Sequence, residues 1–466
     1  MGFEAHSAKV PSSEARPSEF RNMQESHQPI YCGRPNHITT PPSLLDATLC
    51  ELMHNKSSLV PTARDTQCFE TLRAAACGNF EDEAGRQIAF TEVLIEGGIL
   101  PEGVRPGFVI STDYHDDGDL RAMCLGHEVF YYIQAIKNEV CATKSEPYFE
   151  TIFCWLEQIR YIMSTSELDV DDNGDKDDRA GKVRDLDKVN FPVVLVMHFG
   201  PFLVVAAAVY GSEPSAEVVG CIPLHVHDTN LAELEAGDRL FAALRVAVDS
   251  LREQYPDIAN SRRSLANFPF REFDIDDHGV RHEFTYLTAI DKKRVFRVET
   301  LDTETSRLIV NFSRRYSKAA PRAAHALGLA PALHAVNKVN DWYMIVMEDM
   351  PAGYTTMWDL KRESSSAAMS LEDARDTIKT KLAELHRRGF VHGDVGDINV
   401  LVRDKSTAAI ARDVLLVDWD WAGVKAEARY PRDVNQEIAR PKGATSGELI
   451  TEEHDMWMAG RLIQRV

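Results

Sequence analysis

The chain has 466 residues, 44% of them hydrophobic, with a formal net charge of −20 at pH 7. That length admits two or three domains of about 150 residues and a sizeable core, while the charge argues against a nucleic-acid or anionic-membrane partner held by bulk electrostatics and leaves local phosphate sites open. No apolar run reaches the roughly 18 residues of a membrane span, the start MGFEAHSAKV has no signal-peptide core, and the eight Cys include no C-x-x-C pair, so no membrane span, an intracellular location and reduced thiols are expected.

Residues 1–60 are rich in Pro, Ser, His and charge, and read as a mobile tail with one short helix, Leu44–Met53. Residues 61–275 read as an α/β domain. Helical spacing covers Glu70–Cys77 and Glu81–Glu96, a strand entry is suggested at Val104–Ile110, and Leu125–Ile136 and Phe149–Ile162 read as amphipathic helices. Val193–Met197 and Leu203–Tyr210 suit a hairpin turning at Gly200-Pro201, Val218–Leu224 a third strand, and Leu231–Glu253 a long helix with Leu240, Leu244, Val248 and Leu251 on one stripe. Three polar clusters here invite metal readings. Asp169, Asp171, Asn173 and Gly174 open like a calcium loop, but its twelfth position is Ala180 instead of Glu. Asp113, His115, Asp116, Asp117 and Asp119 form a second cluster, and His225 and His227 alternate along an extended segment. Solvated loops and surface histidines are the plainer reading of all three.

Residues 276–466 change character. Phe284–Ala289, Val295–Thr300 and Leu308–Phe312 read as strands, Ala319–Leu327 as a short helix, and Ala332–Val339 with Tyr343–Met347 as a hairpin. A helix over 370–388 starts on Ser370 as N-cap, with Asp373 at the capping-box position. It delivers the chain to His392-Gly393-Asp394. Asn399 follows five residues after Asp394, then two β-branched runs, Val400–Val402 and Val414–Val417, the second ending on Asp418. A phosphoryl-transfer site needs these parts in this order: a loop carboxylate to orient the attacking hydroxyl, an amide oxygen for a metal ion, and a second carboxylate at a neighbouring strand end.

The pattern H-G-D-x-x-x-x-N, a hairpin, then Asp at a strand end resembles the protein kinase-like superfamily, and its Gly393 is more similar to aminoglycoside and choline kinases. The resemblance implies an α+β chain with a kinase-like bilobal fold in its C-terminal part and an additional N-terminal α/β domain. It implies Asp394 as the catalytic carboxylate, Asn399 and Asp418 as Mg2+ ligands, and ATP as the nucleotide. Glu348–Ala352 resembles the hinge, which places Glu348 and Met350 beside adenine. Asp455, in Asp455-Met456-Trp457, resembles the acid that bonds the backbone of the catalytic loop, making it, with His392, a structural brace. The short stretch beyond Gly423 implies a short C-lobe. Arg429-Tyr430-Pro431 and Arg440-Pro441, together with the N-terminal α/β region, look like a group of fungal kinase-like proteins.

Four positions depart from that pattern. The turn that should cradle phosphates, Ile290-Asp291-Lys292-Lys293, has no Gly, so Lys292 or Lys293 would have to offer charge in place of backbone donors. The third strand carries Asn311 where a Lys should meet the phosphates, a charge-assisted contact of about 2–3 kcal/mol. No Asp or Glu occurs between Thr305 and Asn340 to hold such a Lys, and Gly396 stands two residues after Asp394, where protein kinases place Lys. Arg297, Arg314, Arg315 or Lys318 could supply a substitute cation. Three functions are therefore weighed: a phosphotransferase moving the ATP γ-phosphate to a hydroxyl of an unidentified small-molecule or protein acceptor, a pseudokinase acting by nucleotide binding or through a protein partner, and a ligand- or partner-binding module over 65–270 with the kinase-like part as its regulator. Asp420, two residues past Asp418, reads as a turn residue or an auxiliary metal group.

Overall fold

The computed structural model describes residues 11–24, 29–33, 40–78, 80–102, 117–138, 145–168, 186, 188–258, 267–290, 294–302, 305–350, 353–362, 367–404, 412–435 and 437–464. It is a mixed α and β structure in which the chain forms two compact units, Met1–Arg271 and Glu272–Val466.

The first unit begins with helices α1 (Pro11–Glu14), α2 (Pro17–Gln24), α3 (Pro42–Leu45), α4 (Ala47–Ser58), α5 (Ala63–Ala76) and α6 (Glu83–Glu96). Strands β1 (Gly118–Cys124) and β2 (His127–Lys137) follow, then α7 (Pro147–Leu168), β3 (Val193–Phe199), β4 (Phe202–Tyr210), β5 (Pro214–Pro223) and α8 (Leu231–Ile258). The strands form one sheet in chain order. Among the described strands of this sheet, only β2 and β3 pair parallel, which follows from α7 crossing between them, since parallel neighbours need a crossover connection.

Two expectations are corrected in this unit. The stretch Leu125–Ile136 is not a helix: Leu125 and Gly126 both take positive φ (51° and 90°) and make a two-residue hairpin turn between β1 and β2. Nearly all of β2 is buried on both faces, so its unbroken apolar run, rich in Val, Ile, Phe and Tyr, carries no alternation to betray a strand. The tail expected over 1–60 is also partly structural. Asp46 caps α4 by accepting from Leu49 N, and Leu44, Leu49 and Leu52 are each at most 1% exposed in the core of this unit. Of the metal readings, the loop at 169–180 and Asp113, His115 and Asp116 lie outside the described residues. Asp117 and Asp119 are engaged by Lys137 and Arg121 respectively. His225 reaches the Ala76 carbonyl, and His227 meets Thr229.

The second unit opens with β6 (Phe273–Ile275), β7 (Arg281–Ala289), β8 (Val295–Thr300), β9 (Arg307–Ser313), α9 (Ala319–His325), β10 (Leu333–Val339) and β11 (Trp342–Glu348). These strands pair antiparallel in the order β10-β11-β9-β8-β7-β6. Asn337 of β10 bonds both Ile275 N and Ile275 O (2.8 and 2.7 Å), which ties the two end strands together. Beyond the sheet come β12 (Tyr354–Thr356), α10 (Met357–Arg362) and α11 (Leu371–Arg387). The chain continues through β13 (Phe390–Val391), β14 (Val400–Arg403), β15 (Val414–Leu416), β16 (Gly423–Val424) and α12 (Glu452–Arg461).

Ser370 caps α11, its hydroxyl accepting from Asp373 N and donating to the Asp373 carboxylate. Ala374, Ile378, Leu382 and Leu385 recur at helical spacing on its buried face and pack with Val400, Val402, Val414, Leu416 and Trp419. This core fixes the strand ends from which the candidate site projects. Among the described residues, no helix is long and apolar enough to cross a membrane.

Candidate functional site

The loop between β13 and β14 carries His392, Gly393, Asp394 and Asn399. Its shape is set by a buried acid. Asp455, 0% exposed on α12, accepts from His392 N (2.8 Å), Gly393 N (2.7 Å) and His386 Nε2 (3.0 Å). A carboxylate needs several such donors before it can be buried without water. The loop can turn there because Gly393 has φ +90°, and an added Cβ would lie 2.6 Å from Ile450 Cδ1; no other residue meets both demands. His392 is fully buried and edge-on to Trp419 at 4.6 Å. Burial holds its pKa below the usual histidine range, against the pull of Asp455 and Asp394. Its Nδ1 accepts from Asp394 N (3.1 Å), which requires the neutral tautomer protonated on Nε2.

Asp394 and Asn399 are brought into contact. Asn399 Nδ2 donates to the Asp394 carbonyl (3.0 Å) and to its Oδ2 (3.1 Å). That leaves Asn399 Oδ1, the only atom of the amide able to ligate a cation. The Asn399 carbonyl accepts from Val417 N (2.9 Å), so the residue just before Asp418 is pinned against it. Asp418 itself is exposed and sits at φ +64°, a left-handed conformation uncommon outside Gly and tolerated by Asp. Amide and carboxylate oxygens are donors of the kind Mg2+ takes. Among the described residues there is no cluster of three or more His, Cys, Asp or Glu placed to hold a metal ion.

Arg440, which the sequence reading did not place at the site, donates from Nη2 to the other Asp394 oxygen, Oδ1, at 2.9 Å. It comes from the loop between β16 and α12, and no spacing rule links it to Asp394; the only signal was its place in the Arg440-Pro441 pair.

The sheet-side residues are arranged differently. Asn311 on β9 donates to Asp420 Oδ1 (2.8 Å). Desolvation pushes the Asp420 carboxyl above the ordinary aspartate range, opposed by Ser313, Asn311, Arg294 and Arg315. The Ser313 hydroxyl also bonds the Arg315 carbonyl (2.8 Å), so its hold on Asp420 is shared. Asp420 is thus an anchor for β9. Glu348 is an ion-pair partner: Arg412 reaches both its oxygens (2.9 and 2.8 Å), and Ala332 N donates to it (3.0 Å). Its own N–H bonds the Ala332 carbonyl, so neither Glu348 side chain nor Glu348 N–H is open to adenine. Met350 is half-buried past the end of β11, and Lys292 and Lys293 lie outside the described residues. Of the substitute cations, Arg297 is held bidentate by Asp349. Arg314 stacks on Trp342 at 3.8 Å, and Lys318 stands 3.7 Å from Asp277. Burial lowers the pKa of Arg315, which faces Asp433 and Asp420.

No family model matches this chain, and no curated protein matches it. Among solved structures, one of vaccinia related kinase 3 aligns over 41% of this chain and 66% of that one, just under two thirds of its length, at 16% identity and a TM-score of 0.30. At that score and identity the match establishes neither an activity nor a ligand for this chain.

Proposed function

We propose that the Glu272–Val466 unit is a kinase-like phosphotransferase that moves the γ-phosphoryl of ATP to the hydroxyl of an acceptor. The observation that carries this reading is the built loop: Asp394 fixed through Asn399 on one oxygen, the Asn399 carbonyl bonded to Val417 N just before the exposed Asp418, and a backbone that Asp455 holds from beneath. In this reading the six-stranded sheet and the helical part after β11 are the two lobes of a kinase-like fold. Asp394 orients the acceptor hydroxyl and takes its proton as the new P–O bond forms. Asn399 Oδ1 and the Asp418 carboxylate would hold Mg2+, which when bound neutralises phosphate charge. Asp455 and His392 position the loop and do not touch the reacting atoms.

A second reading, a pseudokinase, is favoured by one contact: Asn311 is neutral and already spent on Asp420. Calorimetric titration of the full chain with ATP, with and without Mg2+, tests the phosphotransferase reading, and release of the γ-phosphate from bound MgATP separates it from a nucleotide-binding pseudokinase. Mg2+-dependent binding supports a working metal side at Asn399 and Asp418. No heat at millimolar ATP would reject the phosphotransferase and leave a scaffold.

A further inference from the structure

We infer that Arg440 is the phosphate-binding cation of this site, taking the place of the lysines that Asn311 and Gly396 replace; the inference rests on the phosphotransferase reading above. Three observations point to it. The first is position: Nη2 lies 2.9 Å from Asp394 Oδ1, so the guanidinium stands next to the atoms between which a phosphoryl group would pass. The second is spare capacity. The Arg440 side chain is only 7% exposed, yet Asp394 takes a single N–H because Asn399 holds its other oxygen. The Nη1 contact is the Met458 thioether at 3.8 Å, a weak acceptor. Nε is buried with no hydrogen-bond partner among the described residues. A guanidinium offers five N–H donors in a rigid fork, and a buried donor left unused is destabilising. A tetrahedral phosphoryl oxygen pair is the anion that fits such a fork. The third is support: the guanidinium rests over the Trp421 ring, 4.8 Å from its centroid, which holds the plane in place without consuming donors.

Of the other cations the sequence offered, Arg297, Arg314 and Lys318 are engaged by Asp349, Trp342 and Asp277, Arg315 lies toward Asp420 and Asp433, and Lys292 and Lys293 lie outside the described residues. In the transfer step the bond from the γ-phosphorus to the ADP oxygen breaks, the bond to the acceptor oxygen forms, and the hydroxyl proton passes to Asp394. Arg440 stays charged throughout and stabilises the oxygens in transit. Before nucleotide binds, Asp394 is its counter-ion, so the two anions compete for it.

The competition gives a test that needs no acceptor. Full-length wild type, Arg440→Gln, Arg440→Lys, Asp394→Asn and the Asp394→Asn/Arg440→Gln double variant are titrated calorimetrically with MgATP and with MgADP, with unfolding curves as a check. Wild type is expected to prefer MgATP. Arg440→Gln should lose that preference by roughly ten- to hundredfold with MgADP binding unchanged, and Arg440→Lys should keep part of it. Asp394→Asn should tighten MgATP binding only while Arg440 is present. A merely structural Arg440 would weaken both nucleotides alike; should Arg440→Gln fail to fold, Arg440→Lys and Asp394→Asn carry the same comparison. An unchanged MgATP preference in Arg440→Gln, or tighter MgATP binding, overturns the inference while the phosphotransferase reading stands. Absence of binding of either nucleotide to wild type overturns that reading, and the inference with it.

Discussion

Two acids in the second unit, the buried Asp455 and the half-buried Asp420, are supported in different ways. Asp455 sits beneath the Gly389–Asn399 loop and accepts from two backbone N–H groups and a histidine, all within 3.0 Å. Asp420 sits beneath β9 and has one amide donor at 2.8 Å, a shared hydroxyl and two arginines acting at longer range, and its carboxyl is pushed upward by burial. Backbone donors fixed by a turn are already oriented before the acid arrives, so they carry a buried charge cheaply. Side-chain donors that must also serve elsewhere do not. The loop side is therefore a rigid platform that presents Asp394, while the sheet side is an anchor whose charge costs stability.

The comparison predicts unequal responses. The largest is expected for Asp455→Ala, which strands two backbone N–H groups and His386 at once. Denaturant unfolding of the second unit should lose about 3–5 kcal/mol; a loss under 1 kcal/mol would mean the loop holds its shape without that acid. Asp418→Ala comes next. At φ +64° Ala should cost about 1–2 kcal/mol of stability, while Mg2+-dependent ATP affinity falls roughly a hundredfold, read by calorimetry on the folded variant. Equal ATP affinity with and without this carboxylate would move the metal elsewhere. Gly393→Ala should cost about 1–3 kcal/mol, because φ is +90° and Ile450 leaves no room for a Cβ; an unchanged unfolding midpoint would show that loop and Ile450 can shift.

The smallest effect is expected for Asp420→Asn, and its sign is opposite. The folded pKa of Asp420 is raised, so below the unfolded aspartate value of about 3.9 wild type pays nothing for ionisation. As pH rises above that value, wild type loses stability that the variant, which keeps an acceptor for Asn311, retains. Unfolding curves of the two proteins should coincide in acid and diverge in favour of Asp420→Asn towards neutrality. A variant less stable than wild type at neutral pH would show that Arg294 and Arg315 outweigh desolvation.

The amino-acid sequence by itself determined the local elements with strong local codes. Ser370 with Asp373 starts α11, four apolar residues at helical spacing set its face, and two β-branched runs after Asn399 make β14 and β15. It also displayed Asp394, Asn399 and Asp418 in the order that the proposed function needs, and a neutral Asn311 on β9. It misjudged Leu125–Ile136, since a strand buried on both faces shows no alternation, and it took the start of the chain for a tail, since the packing of Leu44, Leu49 and Leu52 is written in distant strands. Only the tertiary structure could decide what each charge touches. Asn311 meets Asp420 across 109 positions of chain, Arg412 meets Glu348 across 64, and Arg440 meets Asp394 across 46. Such pairs leave no periodic trace, because hydrogen bonds and ion pairs depend on separations of about 3 Å in space that chain spacing does not encode.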